Sequence, residues 1–168
     1  PERKGFKYLL EALEILKDRN IEFKKGIHLV VFGSGNPEEI SALPFKTTYL
    51  GYLDDNCRLV ACYNAADVFV GPSLQESFGQ TFFEAMACGT PPIAFDHSGP
   101  GDIIDHKETG YLADYKSAES LAEGINWVLK HKKRLEKLGA RARAKARDKY
   151  SMRTVGEQYR ELYAGLLS

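Results

Sequence analysis

Between Gly26 and Ala113 short apolar runs alternate with stretches of helical periodicity, and that alternation leaves few folds open. The first run, Gly26 to Gly33, is β-branched in its middle and closes on Gly33-Ser34-Gly35, which reads as a buried strand. Thr47-Thr48-Tyr49-Leu50, Ala66-Asp67-Val68-Phe69-Val70, Pro92-Ile93-Ala94-Phe95 and Gly110-Tyr111-Leu112-Ala113 read as further strands. Between them, Pro37-Glu38-Glu39 opens a short helix, Asp54 or Asp55 caps one running to about Asn64, Gly79 opens one ending at Gly89, and Pro100 to Asp105 is a short one. An amphipathic helix is expected from Phe6 to Arg19, on the spacing of Phe6, Leu9, Leu10, Leu13 and Leu16. After Ala113 the chain reads as helical. Its apolar stripes are Ala118–Leu121–Ala122–Ile125–Leu129, then Leu135–Leu138–Ala142–Ala146–Tyr150, then Val155–Tyr159–Leu162–Leu166 after a cap at Ser151.

Strands of near-continuous apolar character separated by helices imply an α/β fold, a Rossmann-like domain with a parallel sheet covered by helices on both faces. The 168 residues suffice for one such domain, 1–168, and 43% hydrophobic with 27% charged residues is a soluble globular composition. No apolar run approaches the ~18 residues that span a bilayer. The opening Pro1-Glu2-Arg3-Lys4 has neither Met nor a charged-then-apolar leader, so the chain is expected to begin inside a longer protein. Cys57, Cys62 and Cys88 lack metal-ligand spacing; they are expected to be reduced, small, buried or half-buried residues of a cytoplasmic protein, with no bound metal.

In open parallel sheets ligands bind in the loops at the carboxyl ends of the strands, here beginning at Gly33, Gly51, Gly71 and Asp96. The loop after the third strand carries the most chemistry. Gly79 at the loop-to-helix junction lets another molecule approach the backbone, and the helix behind it offers unpaired N–H groups and a positive dipole end to a phosphate. Glu76 in the loop and Glu84 on the helix flank that entrance. Carboxylates beside a phosphate need another target, and as pure acceptors they suit paired hydroxyls. A nucleotide sugar presents hydroxyls on both sides of its diphosphate. By contrast, Gly33-Ser34-Gly35 fails as a dinucleotide fingerprint, because the last glycine position is Glu38. That loop is expected near the donor.

The run Ser-x-x-Glu76-Ser77-Phe78-Gly79-x-x-x-x-Glu84-Ala-Met-Ala-x-Gly-x-Pro resembles the signature of the large retaining glycosyltransferase family of the GT-B fold, the "glycosyl transferases group 1" that includes sucrose-phosphate synthases and bacterial mannosyltransferases. Tyr49 to Asp55 resembles the family's base-binding loop, Asp96 to Ile104 its Gly-Gly-x-x-Glu-Ile-Ile stretch, and Arg3-Lys4-Gly5 its Lys-Gly element. The resemblance covers the whole chain as the family's C-terminal, donor-binding domain, the N-terminal acceptor domain lying outside it. It implies that Lys4 neutralises the diphosphate, with Arg3 as the candidate substitute for an arginine the family carries upstream. Ser77, Phe78, Gly79 and Gln80 would hold phosphates and part of the sugar. Glu76 would contact the sugar hydroxyls, Glu84 the ribose, and Tyr52 and Leu53 the base, with Gly33 and Ser34 nearby. Lys4 and Glu76 are the residues expected to act in catalysis. Pro100 stands at the second glycine of the Gly-Gly pair, and Asp102 replaces the glutamate.

The implied activity is retaining, metal-independent sugar transfer from a UDP-, GDP- or ADP-linked donor to an acceptor hydroxyl, with no cofactor, in bacterial polysaccharide or glycolipid synthesis. A sugar-nucleotide sensor that never transfers, or another GT-B enzyme such as an epimerase, are the alternatives. Arg3-Lys4 could instead be a solvated terminal pair. His97 could reach a ligand or be a surface or structural histidine, and His28 reads as a satisfied core or edge residue. From Lys130 to Lys149 there are ten Lys or Arg against Glu136 and Asp148, a local balance of +8 on a chain of net charge +0. Two readings stand: a solvated helix face, or peripheral contact with anionic headgroups at the inner face of the membrane around a lipid-linked glycan acceptor. Nucleic acid is not an expected partner, since no aromatic residue interleaves the charges.

Overall fold

A computed structural model describes residues 2–19 and 26–166. In chain order its elements are a 3₁₀ turn Glu2–Lys4, α1 Phe6–Asp18, β1 His28–Val31, α2 Pro37–Ser41, β2 Lys46–Tyr49, α3 Asn56–Ala65, β3 Phe69–Gly71, α4 Gln80–Ala87, β4 Pro92–Phe95, α5 Gly99–Ile103, β5 Tyr111–Ala113, α6 Ala118–Leu129, α7 Lys132–Tyr150 and α8 Met152–Leu166. Every strand pair is parallel, as the βα alternation requires. The ladder is divided into β1–β2 and β3–β4–β5, and no pairing joins the two groups among the described residues.

The capping chemistry selects the helix starts. The Asn36 carboxamide accepts the Glu38 N–H at 3.0 Å with Pro37 at the first helical position. Of the two aspartates before α3, Asp55 is the cap, accepting the Cys57 N–H at 2.8 Å. Ser151 accepts the Thr154 N–H at 3.2 Å and opens α8.

β4 is covered on both faces. All four of its residues are buried, and their alternation sends Ile93 and Phe95 into a cluster with Leu13, Leu16, Leu121 and Val128 while Ala94 joins Phe82, Met86, Ile103 and Ala142. β1 departs from the expectation: Leu29 and Val31 pack against the core, whereas His28 and Val30 are exposed. The last three helices differ as well. α7 buries Leu138 together with Gly139, Ala142 and Ala146, and the last three, being small, let it pack closely on α4. α8 buries none of its residues, so the stripe of Tyr159, Leu162 and Leu166 faces outward.

Candidate functional site

The site assembles where the N-terminal turn meets the loop after β3. The Leu74 N–H donates to the Arg3 carbonyl at 2.8 Å, clamping the 3₁₀ turn onto that loop. Gly5 makes the approach possible. Its φ of 66° is left-handed, and a Cβ there would run into the Pro72 carbonyl oxygen. With the turn seated, Lys4 Nζ lies 2.9 Å from Glu76 Oε2, the lysine side chain 52% and the glutamate 21% exposed. On the far side of the loop the Gly99 N–H donates to the Glu76 carbonyl at 3.1 Å. Glu76 is thereby fixed from two directions. The Arg3 side chain is exposed.

Gly79 caps α4 with φ 74° and offers no side chain to the first-turn N–H groups, so the amide-bearing entrance is open. The packing beneath gives a further reason for a glycine here. Gly79 is buried, and a Cβ on it would come within 2.8 Å of Phe82 Cδ2. It serves the turn's handedness and the packing beneath, while Ser77, Phe78 and Gln80 are the residues exposed around it.

Glu84, one turn into α4, accepts a hydrogen bond from the Tyr63 hydroxyl at 3.0 Å. Tyr63 comes from α3 and is 2% exposed, its ring set edge-on between Phe32 and Phe69. Burial, and then the neighbouring Glu84 carboxylate, hold its phenol well above the ordinary tyrosine range, so it remains a donor. Nothing in sequence spacing singled out this tyrosine. Tyr49, expected only as the start of the base-binding loop, also holds the neighbouring loop: its hydroxyl donates to the Gly33 carbonyl at 2.9 Å and accepts the Gly35 N–H at 3.2 Å, shaping the loop that carries Ser34. The Gly33 N–H donates to the Gly51 carbonyl at 2.8 Å, joining this loop to the one carrying Tyr52 and Leu53. Tyr52 is 79% exposed and Leu53 half-buried. Phe32, which follows β1, packs on Tyr63, and so these loops are linked to Glu84 through Tyr63.

Other candidates resolve differently. His97 stacks on Tyr115 with centroids 4.1 Å apart, and Tyr115 donates to the Leu74 carbonyl at 3.3 Å, so the pair buttresses the Glu76 loop. His28 is exposed and hydrogen-bonds Thr48 across the β1–β2 pair at 2.8 Å. In the Asp96–Ile104 stretch the position with glycine geometry is Ser98, at φ 55° and ψ −149°, and Pro100 is an ordinary early helix residue of α5. Cys57 is exposed rather than half-buried; Cys62 and Cys88 are half-buried, and all three are free. The cations of α7 are partly committed inward. Lys145, whose side chain is 8% exposed, pairs with Asp105 at 2.9 Å, Arg141 pairs with Glu108, and Arg134 lies 4.1 Å above the Trp127 ring. Among the described residues no group of three or more His, Cys, Asp or Glu is placed to hold a metal ion, and no helix is long and apolar enough to cross a membrane.

Comparison with known proteins shows the family and the fold. A family described as "Glycosyl transferases group 1" matches residues 1–145. Mannosylfructose-phosphate synthase of Agrobacterium fabrum is 30% identical over 96% of this chain and 38% of its own length. The solved structure of sucrose-phosphate synthase from Thermosynechococcus elongatus superimposes with a TM-score of 0.81 at 28% identity, over 99% of this chain and 43% of that one. The crystallised C-terminal domain of a glycosyl transferase group 1 family protein from Francisella tularensis gives 0.74 at 25% identity, over 90% of this chain and 82% of that one. The chain spans about two fifths of the length of the curated relatives it matches.

Proposed function

The chain belongs to the glycosyl transferases group 1 family, and from that premise we propose that it is the donor-binding, C-terminal half of a glycosyltransferase that moves a sugar from a nucleoside diphosphate to an acceptor hydroxyl. The acceptor surface then belongs to the remainder of a longer protein. One observation carries the reading: Lys4 and Glu76 meet at 2.9 Å beside the uncapped entrance of α4. A cation, a carboxylate and free amides at one entrance suit a phosphate flanked by hydroxyls.

In the proposed reaction the bond between the sugar's anomeric carbon and the diphosphate oxygen breaks. Lys4 and the amides around Ser77, Phe78 and Gly79 stabilise the charge on the leaving diphosphate, with Arg3 and Gln80 at the edge of that field. An ammonium has three donors, so Lys4 can retain Glu76 while contacting a phosphate oxygen. Glu76 then accepts from the sugar hydroxyls and Glu84 from the ribose, while Tyr52 and Leu53 line the base and Gly33 and Ser34 lie near the sugar. The acceptor oxygen attacks from the leaving-group face and gives its proton to a phosphate oxygen, which retains configuration. Fixed cations perform the neutralisation, without a metal ion. Where the acceptor is a lipid-linked glycan, the exposed Lys133, Lys137 and Lys149 of α7 would meet anionic headgroups.

Calorimetric titration of the chain with UDP, GDP and ADP in EDTA tests this. One nucleotide is expected to bind at least about tenfold more tightly than the others, and Lys4→Ala to weaken it. Absence of binding by all three overturns the donor site, and binding that requires a divalent ion overturns the metal-independent mechanism. In the longer protein, transfer that survives Glu76→Ala undamaged removes Glu76 from the reaction.

A further inference from the structure

We propose that Tyr63 is a positioning residue for the ribose diol: its buried hydroxyl holds one oxygen of Glu84 so that the rest of the carboxylate faces the ligand. The inference rests on the donor-site reading and adds to it a side chain that touches no substrate.

A glutamate has three side-chain torsions, and one that must present two acceptors to a diol loses that freedom on binding unless something has already restricted it. The Tyr63 hydroxyl, 3.0 Å from Glu84 Oε2, supplies the restriction. Tyr63 is itself immobile. Its ring is packed edge-on against Phe32 and Phe69 at centroid distances of 5.7 and 5.6 Å, and its carbonyl accepts the buried Thr90 hydroxyl at 2.6 Å. The residue is thus held at both ends, by Thr90 at the backbone and by Glu84 at the phenol. The geometry also fixes the direction of the hydrogen bond. A carboxylate can only accept, so the phenol donates and Glu84 keeps its remaining lone pairs for hydroxyl donors. Burial and the adjacent carboxylate disfavour phenolate, which would repel Glu84. Because Phe32 follows β1 and leads into the Gly33–Gly35 loop, its contact with the Tyr63 ring ties the ribose carboxylate to that loop.

Tyr63→Phe removes one oxygen and leaves the aromatic packing intact. The test is calorimetry on the chain with whichever of UDP, GDP or ADP binds, and with the 2′,3′-dideoxy form of that nucleotide. Tyr63→Phe is expected to lower affinity for the ribonucleotide about tenfold and to leave the dideoxy form within about twofold. Glu84→Gln should show the same ribose-confined loss, and the double variant no more than the larger single loss. Equal losses on both ligands make Tyr63 a packing residue and overturn the proposal, as does unchanged ribonucleotide binding or full additivity in the double variant. Failure of the unaltered chain to bind any nucleotide overturns the donor site itself, and this inference with it; binding that is indifferent to Tyr63→Phe overturns this inference alone.

Discussion

Glu76 and Glu84 belong to one short motif, yet the two regions that hold them work by different physics. Glu76 is on a loop, and its partner, Lys4, is brought from the far end of the chain by a backbone clamp between Arg3 and Leu74. The pair is half in solvent, where an ion pair contributes at most about 1 kcal/mol and salt weakens it. Glu84 is on a helix and held by a neutral, buried phenol whose strength salt does not touch. The difference assigns each carboxylate a distinct readiness. In the proposed donor site the first would exchange partners when a diphosphate arrives, and the second would be prearranged.

Breaking the first region should give the largest effect. Gly5→Ala must place a Cβ against the Pro72 carbonyl from a left-handed backbone, and is expected to cost about 2–4 kcal/mol in urea unfolding. It should separate Lys4 from Glu76 while leaving Glu84 in place. Next, Lys4→Met should weaken nucleoside diphosphate binding about tenfold at low salt, with the gap narrowing toward 0.5 M salt on a scale of ~3–10 Å screening lengths. Glu84→Gln should show a loss that salt leaves alone; equal salt slopes for the two variants would erase the contrast. Thr90→Val removes the hydroxyl that grips the Tyr63 carbonyl at 2.6 Å and should cost about 1–2 kcal/mol in thermal unfolding.

The smallest effect is a control remote from both glutamates. Burial, and then Lys107, lower the His106 pKa below its ordinary 6.5, and its Nδ1 accepts the Leu112 N–H at 3.1 Å. The unfolded chain therefore takes up the proton first. Stability is complete above the ordinary value and declines as pH falls through it toward the lowered folded value. The ring is largely exposed, so solvent screening keeps the loss small. A melting series from pH 7.5 to 5.5 should show that decline, and His106→Gln should flatten it.

Legibility followed the range of each signal. Pro92–Phe95 was readable to the residue, because an uninterrupted apolar run bounded by prolines and Asp96 is a local pattern. The third strand was expected at Ala66–Val70 but pairs as Phe69–Gly71, since its limits are set by alignment with β4, Phe69 opposite Pro92. The need for glycine at Gly79 was legible; its cause, Phe82 underneath, was not. Ser98 shows the converse. A serine carries no mark of the positive φ it must adopt, so the departure from a Gly-Gly pair was placed at Pro100. The α8 stripe looked as buriable as that of α6, yet among the described residues α6 buries its stripe and α8 buries none of its own.

Short-range order was encoded in the residues themselves: apolar periodicity, caps such as Asp55 and the glutamate spacing all act within a few turns, where neighbours in sequence are neighbours in space. The pairing of Lys4 with Glu76, the grip of Tyr63 on Glu84 and the inward turn of Lys145 toward Asp105 join residues far apart in the chain. No periodicity carries such information. Those contacts exist because packed elements leave each side chain one neighbourhood in which its charge or hydroxyl can be satisfied, and that neighbourhood forms only once the chain has folded.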